Sequence, residues 1–331
     1  MYSFFIGCDI SKDKIDISYY LNDKIIYLGK FTNNSIGFKK LIQQLKAISK
    51  LPMTTWFVCF ENTGVYSKPL LHWLLSQGIP CREENALRIS KSLGLRRGKD
   101  DKVDSRDICL YAFEKRDSIK QSKFPKPHIT KLKKLLSRRD LFVRQKVALK
   151  VSLKDQQLMI DQELYEILEV QNMSLLELYN KHIKEIEVEM QKLIEKDDEM
   201  KKNNDLSQSV VGIGPIIASY MIAFTDNYSS FTDGRKFACY SGVAPFPNRS
   251  GKFIGKTRVN HMANKKIKSL LSNAVNTAVM YDKEIGAYYA RKIAQGKAKG
   301  VVLNALKNKL IHRTFAIIKR QTPYVKMMNY I

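Results

Sequence analysis

The sequence predicts a fold of the α/β plus α class, in which a mixed α/β region is followed by long helices. Three strand-like apolar runs open the chain, and helical and strand-like patterns then alternate up to about residue 126. Neither Pro nor Gly occurs between Pro127 and Gly212, which favours long uninterrupted helices. The last segment is basic and mostly helical in pattern. We therefore expect three units, spanning residues 1–126, 127–205 and 206–331.

The first unit alternates between the two kinds of secondary structure. Strand patterns cover 2–9, 14–20 and 24–31, and a helix with Ser35 as its N-cap is expected to run to about residue 49. A fourth strand ends at Glu61, a helix follows over 65–77, and a short strand comes after Pro80. Three consecutive strands followed by this alternation predict a mixed sheet packed against helices.

The middle unit has the periodicity of long amphipathic helices. Leu132, Leu135 and Leu136 recur at helical spacing, and a second apolar stripe runs through 183–193. This pattern predicts a helical hairpin or a coiled coil that joins two domains or two subunits. The charge-rich segment 196–205 is expected to be a hinge or a helix end.

The charge of the chain indicates its kind of partner. The 331 residues include 57 Lys and Arg against 32 Asp and Glu, a net charge of +25, with 44% hydrophobic residues. Such a chain is expected to fold and to bind a polyanion. From residue 206 onward there are 20 basic residues and four acidic ones, so we expect the polyanion to bind there.

Several classes of protein are disfavoured. The N-terminal sequence lacks the pattern of a signal peptide and no apolar run is long enough to cross a bilayer. We therefore expect a cytoplasmic protein with no membrane partner, associated with the nucleoid when active. The five cysteines and five histidines fall in no ligand spacing, so any bound metal is expected to have oxygen ligands.

Four carboxylates occupy positions typical of a metal site. Asp9 and Glu61 each follow an apolar strand, so both are expected at neighbouring strand ends of one sheet, where open α/β sheets place their chemistry. If Asp101 opens a helix, Asp104 shares its face. Converging carboxylates repel one another unless cations neutralise them, and hard oxygen ligands select Mg²⁺ or Mn²⁺. Two such ions would clamp a phosphodiester.

Solvated strand ends and an exposed helix would account for any one of these acids taken alone. The four together, in this order, favour a metal site instead. Asp100 and Asp107 flank the set, and spacing alone leaves each of them open as a further ligand.

The second candidate site is the segment 245–252, P-F-P-N-R-S-G-K. Ser250 is either a turn residue or a nucleophile, because Pro, Asn, Ser and Gly all favour turns. A serine hydroxyl needs a base or a metal for activation, and the carboxylate site would supply it across a domain or subunit interface. Ser241, in an apolar context, is expected to pack or to end a helix. The basic side chains around Ser250 suit a scissile phosphate; they are Arg249, Lys252, Lys256 and Arg258.

A glycine-containing turn precedes this segment. Residues 210–215, V-V-G-I-G-P, have the form of a helix-hairpin-helix turn, in which backbone N–H groups approach a DNA phosphate. An ordinary glycine turn between packed helices fits the same residues equally well.

Five ordered motifs together resemble the insertion-sequence-110 family of transposases, also called bridge-RNA-guided recombinases. They are G-C-D-I-S-K, F-E-N-T-G-V-Y, K-D-D-K-V-D-S, V-V-G-I-G-P and Y-S-G-V-A-P-F-P-N-R-S-G-K, and they extend over nearly the whole chain. The resemblance implies a RuvC-like, ribonuclease-H-type domain with an Asp-Glu-Asp-Asp tetrad, then a coiled coil, then a mostly helical transposase domain with one catalytic serine. Carried over motif by motif, the tetrad falls on Asp9, Glu61, Asp101 and Asp104, and the serine on Ser250.

The resemblance also implies a mechanism and partners. The serine attacks a DNA phosphodiester, forms a covalent phosphoserine link and exchanges strands through a Holliday-junction-like intermediate, with Mg²⁺ at the acidic site. Family members act as homotetramers in which the serine domain of one subunit completes the acidic site of another. A noncoding bridge RNA from the element pairs with donor and target DNA. This chain departs from the family pattern at Asp100, where Thr is common, and at Arg249, where a small residue is often found.

Two other functions are open from the residues alone. A metal-dependent, RuvC-like junction-resolving nuclease would cut by water attack, and Ser250 would be structural. A nucleic-acid-binding protein without catalysis leaves the ordered carboxylates unexplained. For RNA, the basic stretches 88–102 and 131–154 are candidates to follow a backbone, and we expect charge reversal at Arg96 and Arg97 to weaken RNA binding.

Overall fold

The structure is a computed structural model that describes residues 2–94, 100–231, 233–250, 253–259 and 263–325, with the backbone alone described at 247–250, 253, 254 and 256–258. The chain divides into two compact units, Met1–Phe124 and Pro125–Ile331. A further boundary near residue 205 stays a prediction.

A five-stranded mixed sheet forms the centre of the first unit. Its strands are β1 (Phe4–Ile10), β2 (Lys14–Leu21), β3 (Lys24–Thr32), β4 (Trp56–Glu61) and β5 (Cys81–Glu84). They lie in the order β3-β2-β1-β4-β5. The pairs β1–β2 and β2–β3 are antiparallel, while β1–β4 and β4–β5 are parallel. The predicted mixed sheet is confirmed, and this arrangement is consistent with a ribonuclease-H-like domain.

Helices cover both faces of this sheet. The helices are α1 (Ser35–Ile48), α2 (Lys68–Ser76), α3 (Ala86–Leu93) and α4 (Asp101–Glu114). Because side chains alternate along a strand, Phe4 and Ile6 pack with Leu41 of α1 and Leu70 of α2. Phe5, on the opposite face, belongs to a separate cluster with residues of α3 and α4.

Two helix starts differ from the sequence prediction. The N-cap of α1 is Asn34, not Ser35, because the Asn34 side chain accepts a hydrogen bond from Gly37 N at 3.0 Å. The helix predicted from residue 65 begins only at Lys68. Before it, Asn62 Oδ1 accepts from Gly64 N at 3.0 Å, and Gly64 has a φ of +72°, so the chain turns there and cannot continue as helix.

Close packing between α4 and β1 fixes the position of α4. A Cβ atom on Gly7 would lie 2.3 Å from both Cys109 N and Ser105 O, so only glycine allows the helix this near to the strand. The hydroxyl of Ser105 in α4 also forms a buried hydrogen bond of 2.8 Å with the hydroxyl of Ser18 on the neighbouring strand β2. The first turn of α4 is thereby held beside the sheet.

Two long helices open the second unit as a helical hairpin, one of the two predicted arrangements. They are α5 (Pro127–Gln156) and α6 (Gln162–Glu195). The Phe142 ring packs 5.7 Å from that of Tyr179, and Arg139 Nε donates to Glu187 at 2.7 Å. The segment 196–205 was predicted as a hinge or a helix end, and α6 does end at Glu195, just before it, but most of the segment is helical. A new helix, α7 (Asp198–Gln208), starts at once with Asp197 as its N-cap.

The rest of the second unit is a helical core that carries one β-hairpin. Its elements are α8 (Pro215–Thr225), α9 (Gly234–Tyr240), β6 (Pro245–Ser250), β7 (Phe253–Val259), α10 (Lys265–Tyr281), α11 (Lys283–Ala294) and α12 (Lys299–Arg320). Ser241 caps the C-terminal end of α9 and its buried hydroxyl donates to Phe237 O, as the sequence predicted. In the described part of the chain, no helix combines the length and apolar character needed to cross a membrane.

The two prolines of 245–250 lie in a strand, where the sequence favoured a turn. A two-stranded sheet consists of edge strands, which tolerate Pro. Pro245 begins β6, and the register shifts between Phe246 and Asn248 so that Pro247 lies at an irregularity in the ladder. Because proline has no N–H to donate, this is the position in the hairpin that suits it.

Candidate active site

Asp9 and Glu61 lie side by side at the carboxyl ends of two neighbouring strands. The parallel register pairs Cys8 of β1 with Phe60 of β4, and each acid is the next residue on its strand. Strand alternation places Asp9 on the same face as Phe5 and Gly7, which is the face that α4 covers. The predicted meeting of two strand ends is confirmed.

The first turn of α4 brings two further acids to this edge. The helix begins at Asp101, and Asp101 and Asp104 both lie in its first turn, as predicted. Asp100 is the N-cap, and its side chain accepts from Lys102 N at 3.4 Å. Helix capping therefore accounts for Asp100 without a role as a metal ligand.

The electrostatics of Asp9 show that these acids influence one another. Burial and then the carboxylates of Asp104, Asp101, Glu61 and Asp16 raise the pKa of Asp9 to about 6. Glu61, Asp101 and Asp104, the other three acids predicted from the sequence, therefore lie near enough to Asp9 to repel its charge.

Lysines from the neighbouring strands contact Asp101. Lys14 Nζ donates to Asp101 Oδ2 at 3.1 Å, and Lys30 Nζ lies 3.9 Å from the same oxygen. The hydrogen bond from Lys14 lowers the pKa of Asp101. No set of three or more His, Cys, Asp or Glu side chains within the described ranges is arranged to hold a metal ion.

A fifth acid, Asp16, lies next to this cluster and was missed from the sequence. Asp16 lies on β2, where it is paired with Asp9 of β1, and it is 2% exposed. Tyr27 Oη donates to it at 2.6 Å, and Lys30 Nζ lies 3.7 Å away. The alternation I-D-I-S contained the signal, because it places Asp16 on the same face as Ser18 and between buried isoleucines.

The chemistry of the cluster fits Mg²⁺ or Mn²⁺. Carboxylate oxygens are the hard ligands that these ions prefer. Burial and then the neighbouring carboxylates raise the pKa of Asp9, and a divalent cation would offset both effects by favouring the ionised form. Glu61 and Asp104 lie on the same edge as Asp9.

Ser250 lies in the second unit, as the last residue of β6, and pairs with Phe253 of β7. Arg249 precedes it on β6, and Lys256 and Arg258 lie on β7. Lys252, Arg96 and Arg97 lie outside the described residues. The structure thus brings the four acids together in one unit and places Ser250 in the other.

The turn at 210–215 joins α7 to α8. Gly212 has a φ of +96°, and a Cβ there would lie 2.3 Å from Ala274 O of α10. Gly214, the N-cap of α8, has no such neighbour. Packing against α10 therefore requires the first glycine.

Comparison with known proteins gives two family matches and three curated relatives. The DEDD transposase model of IS110, described as "Transposase", matches residues 6–159, and "Transposase IS116/IS110/IS902 family" matches residues 204–290. Pilin gene-inverting proteins of Moraxella bovis and Moraxella lacunata are each 26% identical over 98% of this chain and 98% of their own length. An uncharacterized 44.8 kDa protein of insertion element IS116 from Streptomyces clavuligerus is 24% identical over 35% of this chain and 29% of its own.

The two matched regions together cover more than half of the chain, and they include both candidate sites. The Moraxella proteins align from end to end. The chain therefore belongs to the IS110 family of transposases, enzymes that recombine DNA.

Proposed function

We propose that this chain is an RNA-guided, site-specific DNA recombinase of an insertion sequence, which cuts and rejoins DNA through a covalent link to Ser250 with the help of Mg²⁺. The observation that carries the proposal is the carboxylate cluster at one edge of the first unit, where burial and then the like charges of its neighbours raise the pKa of Asp9 to about 6. Carboxylate oxygens bind divalent cations such as Mg²⁺. A bound divalent cation stabilises the attacking and leaving oxygens when a phosphodiester is cut.

In the proposed site, Asp9, Glu61, Asp101 and Asp104 would hold the ion, which would offset the charge that develops on the phosphate. The hydroxyl oxygen of Ser250 forms a bond to phosphorus, and the bond from phosphorus to the leaving deoxyribose oxygen breaks. The serine loses a proton and the leaving oxygen gains one. Reversal of this step by a different DNA end rejoins the strands.

The proposal gives each part of the chain a task. Residues 1–126 hold the metal, 127–205 link protomers as a coiled coil, and 206–331 supply Ser250 and contact DNA through Arg249, Lys252, Lys256 and Arg258. Because the acids and Ser250 belong to different compact units, a homotetramer in which one subunit's serine serves another's acids is consistent with the proposal.

The similarity to pilin gene-inverting proteins supports recombination between two defined DNA sites. A net charge of +25 suits a protein that binds RNA as well as DNA. With an RNA guide, base pairing would supply the sequence specificity. The RNA would come from the same element and pair with donor and target DNA.

A plasmid recombination assay tests this function. Donor DNA that carries the element ends, a target plasmid and the element's noncoding RNA are incubated with Mg²⁺ and the protein. We expect recombinants with the wild type and with Ser230→Ala, which alters an exposed serine of the second unit. We expect none with Asp9→Asn, with Ser250→Ala or without the RNA. Recombination by Ser250→Ala would exclude the serine mechanism, and cutting without joining would favour a nuclease.

A further inference from the structure

Two lysines border the carboxylate cluster on the β2 and β3 side. Lys14 and Lys30 both contact Asp101, at 3.1 and 3.9 Å, and are 46% and 47% exposed. Strand register places Lys30 opposite Asp16, on the same face of the sheet. The acids of the cluster are thus flanked by cations that belong to the chain itself.

The two lysines differ in the burial of the carboxylates that they contact. Lys30 lies 3.7 Å from Asp16, whose side chain is 3% exposed, and a buried carboxylate needs a nearby partner. Lys14 instead bonds to Asp101, whose side chain is 48% exposed. Water competes for such an exposed pair, so Lys14 can leave Asp101 at little cost.

Asp101 has a source of stabilisation besides the Lys14 contact. Asp101 lies in the first turn of a 14-residue helix, where the helix dipole favours a negative charge without any lysine. Lys14 is the first residue of β2, and its backbone carbonyl accepts from the Ser11 backbone N–H and hydroxyl, both at 2.9 Å. The backbone of Lys14 is therefore anchored, and its side chain, 46% exposed, can exchange partners without moving the strand.

We propose that Lys14 is an exchangeable cation, which neutralises Asp101 before a divalent ion binds and then turns to a DNA phosphate beside the scissile one. The inference rests on the proposed function, because it needs the ion and the DNA at this edge. A divalent ion on Asp101 repels the ammonium group of Lys14. The long, flexible side chain then presents three N–H donors to the DNA backbone.

The first test measures Mn²⁺ affinity of the full chain by electron paramagnetic resonance, without DNA. Lys14→Met removes the cation that competes for Asp101, so we expect Mn²⁺ to bind about two- to fivefold more tightly. Lys12→Met is the matched control, because Lys12 is an exposed lysine of the same turn. Equal effects of the two substitutions would show a general charge effect and overturn the exchange.

The second test measures the affinity for a fluorescein-labelled four-way DNA junction at several salt concentrations. With Ca²⁺ present, Lys14→Met should reduce the slope of log affinity against log salt by about 1, the value for one lost phosphate contact. In EDTA, where Lys14 remains on Asp101, the slope should match that of the wild type. The same slope change in both conditions, or in neither, would overturn the proposal.

The variant Asp9→Asn separates failure of this inference from failure of the proposed function. If Asp9→Asn binds Mn²⁺ as tightly as the wild type, the carboxylates are not the metal site and both proposals fall. If Mn²⁺ binding needs Asp9 but Lys14→Met behaves like Lys12→Met, the exchange alone is wrong. Urea unfolding of each variant, followed by tryptophan fluorescence, verifies that the first unit is folded.

Discussion

Asp9 is the residue at which burial and like charge act together. Its pKa of about 6 lies above the ordinary value of 3.8, so the native state binds this proton more tightly than the unfolded state does. Stability therefore falls as pH rises from about 4 to about 6, and the lost stability is not regained at higher pH. A bound divalent cation would favour the ionised form of Asp9 and so restore the stability that is lost when Asp9 ionises.

Replacement of Asp9 by Asn is expected to stabilise the first unit in EDTA at pH 7.5. The free energy of unfolding should rise by about 1 kcal/mol, because the substitution removes a charge that the neighbouring carboxylates repel. This value allows for solvent screening of a partly exposed group. The gain should shrink towards pH 4, where the wild-type carboxyl is protonated too. Urea unfolding followed by tryptophan fluorescence measures this, since both tryptophans of the chain, Trp56 and Trp73, lie in the first unit. A gain that grew towards pH 4 would contradict the assigned pKa.

Among the secondary-structure elements, α4 matters most for the site because it carries Asp101 and Asp104. Its distance from β1 depends on Gly7, where a Cβ would meet two backbone atoms at 2.3 Å. Backbone atoms cannot rotate away as a side chain can, so the helix as a whole would have to shift.

Gly7→Ala is accordingly expected to destabilise the first unit by about 3 kcal/mol and to weaken Mn²⁺ binding as α4 moves. The measurement is again urea unfolding by tryptophan fluorescence. Gly300→Ala is the control, because Gly300 lies in α12 of the second unit with nothing near its Cβ position. Similar unfolding midpoints for Gly7→Ala and the wild type would show that the contact between helix and strand can relax.

The helices α10, α11 and α12 of the second unit meet at Arg313. Its guanidinium donates to Asp282 at 2.8 Å and also to Glu284, and Asp282, 5% exposed, caps the start of α11. Removal of one member of such a pair leaves an uncompensated buried charge.

Arg313→Met should therefore destabilise the second unit by about 3 kcal/mol. Lys309→Met removes a more exposed partner of Glu284 and should cost less than about 1 kcal/mol. Loss of helical circular dichroism in urea, compared between the two variants, measures the difference. Equal losses would mean that burial of Asp282 does not govern this contact.

Local patterns allowed the elements and their acids to be predicted. Strand runs that end in Asp9 and Glu61, and a helix start at Asp101, each depend on a few neighbouring residues. The contact of Lys14 with Asp101 spans 87 residues and depends on how β2 and α4 pack, which no local pattern encodes. The late start of α2 and the strand character of Pro245–Ser250 were missed for a related reason, because turn geometry and cross-strand pairing overrode propensity.

For the molecule as a whole, the net charge of +25 predicts strong, salt-dependent binding to nucleic acid. Arg96 and Arg97 lie outside the described residues, and their role in RNA binding stays a prediction from the sequence. The variant Arg96→Glu with Arg97→Glu should weaken RNA binding more than DNA binding, as measured by filter binding at matched salt. RNA affinity equal to that of the wild type would remove this assignment.

The proposed mechanism uses both units of the molecule, because the carboxylates lie in one unit and Ser250 lies in the other. A covalent adduct between protein and DNA is the product that needs both. A water-cutting nuclease would form none, whatever the arrangement of its subunits.

The most direct test is an adduct assay with labelled DNA from the element ends and a matching target. Wild type, Ser250→Ala and Asp9→Asn are incubated in Mg²⁺ or in EDTA, denatured, and separated by gel electrophoresis. We predict a protein–DNA adduct with the wild type in Mg²⁺ alone, and none with either variant. Metal-dependent cutting without an adduct, unchanged by Ser250→Ala, would contradict the serine mechanism and leave a metal-dependent nuclease.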